Sequence, residues 1–146
     1  MAIREVHDMK VLLDTNIVLD VLLRRSRWLA ESKAVWQHPE VTGYISATTV
    51  TDIFYIVKKQ TDVGTAKKAI VICLNELEIA LIDSQTIHLA VQRPGDDFED
   101  NVQTACAYLV GLDAIVTRNT QDFVSSLVPV FSPTELLMHL NGEIDK

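Results

Sequence analysis

The sequence predicts an α/β fold with a mainly parallel sheet of about five strands, and three observations carry that prediction. Short apolar runs alternate with longer segments at helical spacing along the whole chain. The first run, Val11-Leu12-Leu13, is continuously apolar rather than alternating, as in a strand covered on both faces. Breaks and caps fall between the segments, among them His38-Pro39-Glu40, Ser46, Arg93-Pro94-Gly95-Asp96 and Ser132-Pro133.

Met1–Asp8 is mixed and aperiodic and reads as a leader or frayed terminus, leaving residues 9–146 as a single domain. Asp14, directly after the first strand, either caps the next helix or presents a carboxylate where open α/β sheets place their ligands. The residues alone leave both open. A helix from about Thr15 to Leu23 runs into the basic turn Arg24-Arg25-Ser26-Arg27. A second helix, about Trp28 to Gln37, puts its two tryptophans on nearly one face, for core packing or for a partner. Val41–Ile45 is the second strand, and Ser46 caps a helix over about Ala47–Lys59 with Val50, Ile53, Phe54 and Val57 buried. Asp52 lies inside that helix, where Asp is a poor helix former. A solvated face and a functional role both account for it.

A helix over about Val63–Leu77, a strand over Glu78–Ile82 and a helix over Ser84–Gln92 follow. The next helix crowds Asp96, Asp97, Glu99 and Asp100 about its first turn. The helix dipole accounts for some of these acids but not for four together, because like charges at close helical spacing repel. Its main apolar stripe is Phe98, Val102, Ala105, Cys106 and Leu109, whereas Asp100 aligns with the small side chains of Thr104, Ala107 and Gly111. The helical wheel does not choose between Asp97 and Asp100. Ala114–Val116 is the fourth strand, with Thr117-Arg118-Asn119 at its carboxyl end and Asp122 within one further turn. Val128–Phe131 is the fifth strand, and Ser132-Pro133 starts the last helix.

A net charge of −7 argues against holding nucleic acid by bulk electrostatics, yet permits acids gathered around a divalent cation, which inverts the local sign. Cys73 and Cys106 sit inside apolar patterns, as small hydrophobes of a reducing compartment rather than a disulfide. His7, His38, His88 and His139 have no metal-ligand spacing, which argues against zinc. No glycine-rich phosphate loop is present, against nucleotide-fold kinases and dinucleotide enzymes. No apolar run approaches the roughly 20 residues of a membrane span, and no signal-peptide pattern opens the chain, so a cytoplasmic protein is expected.

Four acids occupy comparable places: Asp14 after strand one, Asp52 in the helix after strand two, Asp100 near a helix start, and Asp122 beyond strand four. Hard oxygen donors without His or Cys suit Mg²⁺ or Mn²⁺, ions able to activate water and stabilise charge in attack on a phosphodiester. Their crowding is expected to raise at least one pKa without metal.

The stretches KVLLDTNIVLD, ISATTVTD, DFEDNVQTACA and IVTRNTQDF resemble the successive motifs of PIN domains, over about Met9–Leu140. The resemblance implies a three-layer α/β/α sandwich and a metal-dependent endoribonuclease; many bacterial members are VapC-type toxins of toxin–antitoxin pairs. It implies Asp14, Asp52, Asp100 and Asp122 as catalytic acids, with Asp14, Asp100 and Asp122 holding Mg²⁺ or Mn²⁺, and it selects Asp100 over Asp97. It implies Asn16, Thr117 and Asn119 as residues that orient the site. Asp52 falls where the family usually has Glu, a shorter reach that implies coordination through water or reduced activity. The implied reaction is hydrolysis of RNA to a 5′-phosphate and a 3′-hydroxyl, with Arg24, Arg25, Arg27, Lys58, Lys59 and Arg118 as candidates for the RNA backbone. A homodimer and a cognate antitoxin, docked over the site against the Trp28/Trp36 helix, are implied as partners. Two other readings stand beside it. One is a PIN-like module without activity that binds RNA or protein, supported by Asp52; the other is a phosphatase using Asp14 as nucleophile, weakened because Asn16 rather than a second acid stands two residues on.

Overall fold

In the computed structural model, residues 8–123 and 125–142 are described; the expected leader lies outside them except for Asp8. The chain runs β1 (Met9–Leu13), α1 (Thr15–Leu22), α2 (Leu29–Trp36), β2 (Val41–Ser46), α3 (Ala47–Gln60), α4 (Val63–Glu76) and β3 (Glu78–Ala80). It continues with α5 (Ser84–Gln92), α6 (Phe98–Val110), β4 (Ala114–Val116), a 3₁₀ turn (Thr120–Phe123), β5 (Val130–Phe131) and α7 (Pro133–Leu140). The strands form one parallel sheet in the order β3-β2-β1-β4-β5.

β1 lies at the centre, which explains its unbroken apolar run. Val11 and Leu13 point to one face with Ala114 and Val116, where residues of α1, α2, α3, α4 and α7 close the main core. Leu12 and Ile115 point to the other face, against Cys106 and Ala107 of α6 and Phe123 of the 3₁₀ turn. Helices therefore cover both sides, and the architecture is the α/β/α sandwich.

Two strands are shorter than the sequence suggests, for want of partners. β3 pairs only with the end of β2, down to Ser46↔Ala80, so Leu81 and Ile82 have no ladder to join. β5 begins after Pro129, which accepts from the Ile115 N–H but has no N–H of its own to extend pairing. The stripe expected on α6 is buried at Val102, Ala105 and Cys106, but the buried face is wider and leaves out its first residue. Phe98 is 49 % exposed, while Asn101, Gln103 and Thr104 are buried with Val102 and Ala105. Trp36 belongs to the main core at 7 % exposure, so the two tryptophans do not form one partner surface.

Local chemistry agrees with the boundaries. Ser46 caps α3 by accepting from the Thr49 N–H, and Ser132 with Glu135 forms a capping box on α7 behind Pro133. α6 ends at Gly111, in the left-handed region at φ 84°. Cys73 and Cys106 are free and buried, and burial pushes both thiols up to about 11, which keeps them inert at neutral pH. Among the described residues no helix is long and apolar enough to cross a membrane.

Candidate functional site

β1 pairs with β2 on one side and with β4 on the other, so the chain reverses its direction of winding between β1 and β4. Doubly wound sheets open a crevice there, outside the carboxyl ends of the strands. Asp14 leaves β1 at that point, its N–H donating to Val116 O at 2.9 Å. Its side chain has two partners: Oδ1 accepts from the Thr15 N–H at 2.8 Å and Oδ2 from the Thr117 hydroxyl at 2.9 Å. Asp14 is thus both the cap of α1 and a wall of the cleft.

Thr117, fully buried, does not line the cleft but holds Asp14 from behind. It also accepts from the Asn119 N–H, and Asn119 O in turn accepts from the Asp122 N–H, so one short turn carries both residues to the rim. A cavity of about 460 Å³ lies between these elements. Its acids are Asp14, Asp52, Asp97, Glu99, Asp100 and Asp122, and Asn16 and Asn119 line it as well. Asp97 caps α6 by accepting from the Asp100 N–H, which leaves Asp100 as the less exposed of the two.

The acids perturb one another as charges sharing a poorly hydrated space. Asp100 is pushed up to about 6, first by burial and then by Asp97, Asp14 and Asp122. Asp14 is raised by burial and by Asp122, against the lowering effects of Thr117, Thr15 and Arg118. Burial outweighs the like-charge crowding that the sequence emphasises. Glu99 is pushed up to about 7, chiefly by a hydrogen bond shared with Asp52 and then by burial and its acidic neighbours. Asp52 therefore does not stand alone; Glu99 of α6 lies within hydrogen-bonding reach of it across the cleft.

The donor set fits a hard divalent cation, since the cavity lining combines carboxylates and side-chain amides without His or Cys. A cation placed there would offset the burial and the like-charge repulsion that together raise Asp100. Among the described residues, no three His, Cys, Asp or Glu side chains stand close enough to hold a metal ion as they are. The donors surround the space without closing on it.

Beside the cleft lies a cluster that no motif announces. Asp20, 0 % exposed, accepts from Ser32 Oγ at 3.0 Å and pairs with Arg118 Nε at 3.1 Å and Arg25 Nη1 at 3.5 Å. Arg25 also donates to Asn16 Oδ1, and the Arg118 and Arg27 guanidiniums each stack on Trp28, at 4.3 and 4.5 Å. Two of the six candidate RNA-binding cations are thus engaged inside the protein. The available signal for Asp20 was an acid within the apolar run of α1 followed by a basic turn. For Glu99 it was the surplus of acids at the start of α6.

Residues 10–121 match the family model for the PIN domain. No curated protein matches. Among solved structures, the chain is similar to a toxin–antitoxin complex from Klebsiella pneumoniae at 26% identity and TM-score 0.67, over 84% of this chain and 97% of that one. It is similar to VapBC-1 from nontypeable Haemophilus influenzae at 17% identity and TM-score 0.66, over 86% and 99%. It is also similar to VapC20 of Mycobacterium tuberculosis, a sarcin-ricin loop cleaving toxin, at 12% identity and TM-score 0.61, over 72% and 86%. With the five-stranded sheet, the acidic crevice at its switch point and a family match over most of its length, the chain belongs to the PIN domain family.

Proposed function

We propose that this chain is a metal-dependent endoribonuclease that hydrolyses RNA phosphodiester bonds and acts as the toxin of a toxin–antitoxin pair. The observation that carries the reading is the convergence of Asp14, Asp100 and Asp122 on one cavity, where Asp14 and Asp122 both act electrostatically on Asp100 and Asp122 acts on Asp14. These three residues would hold Mg²⁺ or Mn²⁺, and the bound ion would supply the Lewis acidity that lets water attack phosphorus. Thr117 fixes the Asp14 carboxylate, and Asn16 and Asn119 offer amides to phosphate oxygens at the rim. Glu99, pushed up to about 7 beside Asp52, can supply its proton to a leaving oxygen, giving a 5′-phosphate and a 3′-hydroxyl. Residues 9–146 act as one domain in this reading. The toxin role is supported by the solved complexes, with an antitoxin, a homodimer and a cytoplasmic setting following by analogy.

The test is cleavage of single-stranded RNA with Mn²⁺ by the wild type and by Asp14→Asn. Loss beyond the about 10–100-fold typical of outer-sphere partners is expected, and undiminished cleavage would defeat the assignment. A second reading, a PIN module that binds RNA or protein without cutting it, is favoured by Asp52 in place of Glu and by the separation of the acids. Failure to bind Mn²⁺ in titration selects it.

A further inference from the structure

A buried polar chain runs behind the cleft wall. Gln103 of α6, 2 % exposed, donates through Nε2 to Ser46 Oγ at 3.1 Å and to Thr49 Oγ1 at 3.3 Å. The Ser46 hydroxyl also donates to Thr49 Oγ1 at 3.1 Å. With those bonds accepted, the hydrogen of the Thr49 hydroxyl is directed to Thr15 Oγ1, 3.2 Å away. Thr15 lines the cleft. Four side chains therefore link the start of α1, the end of β2 with the start of α3, and the middle of α6.

Three of the four proposed acids lie within a turn of this chain. Thr15 follows Asp14, Asp52 stands three residues after Thr49, and Asp100 stands three residues before Gln103. The seam between α3 and α6 is otherwise thin, for α3 packs chiefly on α4, and α6 on α5. Two openings meet along it, the acidic cleft and a groove of about 340 Å³ bordered by Thr48, Ile87, Phe98 and Val102, and both include Asp52 and Glu99. Stability alone does not account for an amide here. Gln103 Oε1 is buried without a hydrogen-bond partner among the described residues, whereas Met would fill similar volume and strand no acceptor.

We infer that Gln103 is a positioning residue whose amide sets the offset of α6 against α3 and α1, and through it the spacing of Asp100 from Asp52 and Asp14. Its consequence for cleavage rests on the nuclease reading; its consequence for helix spacing does not. The substitution that tests it is Gln103→Met in the full chain, with Thr49→Val breaking the same links from the other side. Val102→Ala, in the same helix, serves as a control that loosens packing without touching the network. Five quantities are compared: the melting temperature, the Mn²⁺ binding midpoint, kcat and KM on single-stranded RNA, and the distance between spin labels at Lys58→Cys and Tyr108→Cys.

Gln103→Met is expected to raise the Mn²⁺ midpoint and lower kcat by about tenfold each, with KM little changed and the label distance broadened. Val102→Ala should lower the melting temperature alone. If Gln103→Met and Thr49→Val behave like Val102→Ala, the inference is overturned. Should wild type and Asp14→Asn cleave equally, the nuclease reading fails separately, and the label distance decides: broadening upholds the positioning role and an unchanged distance refutes it.

Discussion

Asp20 and the cleft acids treat burial differently. Asp20 is wholly enclosed and answered by two guanidiniums and a hydroxyl, so its removal would leave Arg25 and Arg118 facing an empty pocket. Asp20→Ala is expected to cost about 3 kcal/mol, read as a lower urea midpoint at unchanged m-value. Glu99 and Asp100 in the cleft have no cationic partner among the described residues, and their contribution to stability has the opposite sign. Glu99 and Asp100 hold protons up to about 7 and about 6 in the folded state, against ordinary values of 4.5 and 3.8. As pH rises from about 4 the unfolded chain releases these protons first, so the apo protein loses stability until about pH 7 and then levels off. Added Mn²⁺ should raise the melting temperature strongly at pH 8 and little at pH 5, because it binds the ionised forms. Glu99→Gln should flatten the apo profile; a profile that rises over this interval in both proteins would contradict the assignment of protons to the cleft.

At the scale of elements, the caps and periods written in the sequence locate every helix, because they act within one or two turns. Ser46, Asp62, Asp83 and Ser132 each accept from a backbone N–H at a helix start. Gly111 is the most exacting of these signals: its φ of 84° strains any residue with a Cβ, although nothing lies within 4 Å of that position. Gly111→Ala should therefore destabilise through backbone conformation alone, by about 1 kcal/mol in thermal denaturation. What a wheel cannot foresee is which neighbours a helix meets. α6 faces the ends of β2 and α3 as well as α5, so its buried side takes Gln103 and Asn101 and leaves Phe98 outside. Glu99 escaped notice for the same reason, since its partner Asp52 is distant in sequence and no local period relates them.

For the whole molecule, the parallel order of strands followed from alternation, but the shape of the site depended on pairings the chain does not spell out. The motif spacing accounts for which acids sit at strand ends; it does not encode the Arg25–Asp20–Arg118 cluster or the polar chain from Gln103 to Thr15. That cluster bears on the proposed binding of RNA. With a net charge of −7 and two of six candidate cations engaged by Asp20, few phosphates can be neutralised by side chains. In the presence of Mg²⁺, the affinity for single-stranded RNA should fall with salt at a slope of only about −2 on logarithmic axes, roughly three phosphate contacts. A slope near −5 would require about seven phosphate contacts, and so an extended basic track rather than a few separate cations.

The central strand also dictates when such a protein can act. Leu13 pairs with Val116 and Asp14 with Thr117, each contact spanning 103 residues. A nascent chain halted before β4 would carry Asp14, Asp52 and Asp100 yet lack the ladder that turns them toward a common space. Long-range parallel pairing is also slow to form. On the proposed nuclease reading, synthesis would therefore deliver an inert polypeptide until β4 has emerged and paired with β1, an interval in which a binding partner made alongside it could arrive before any RNA is cut.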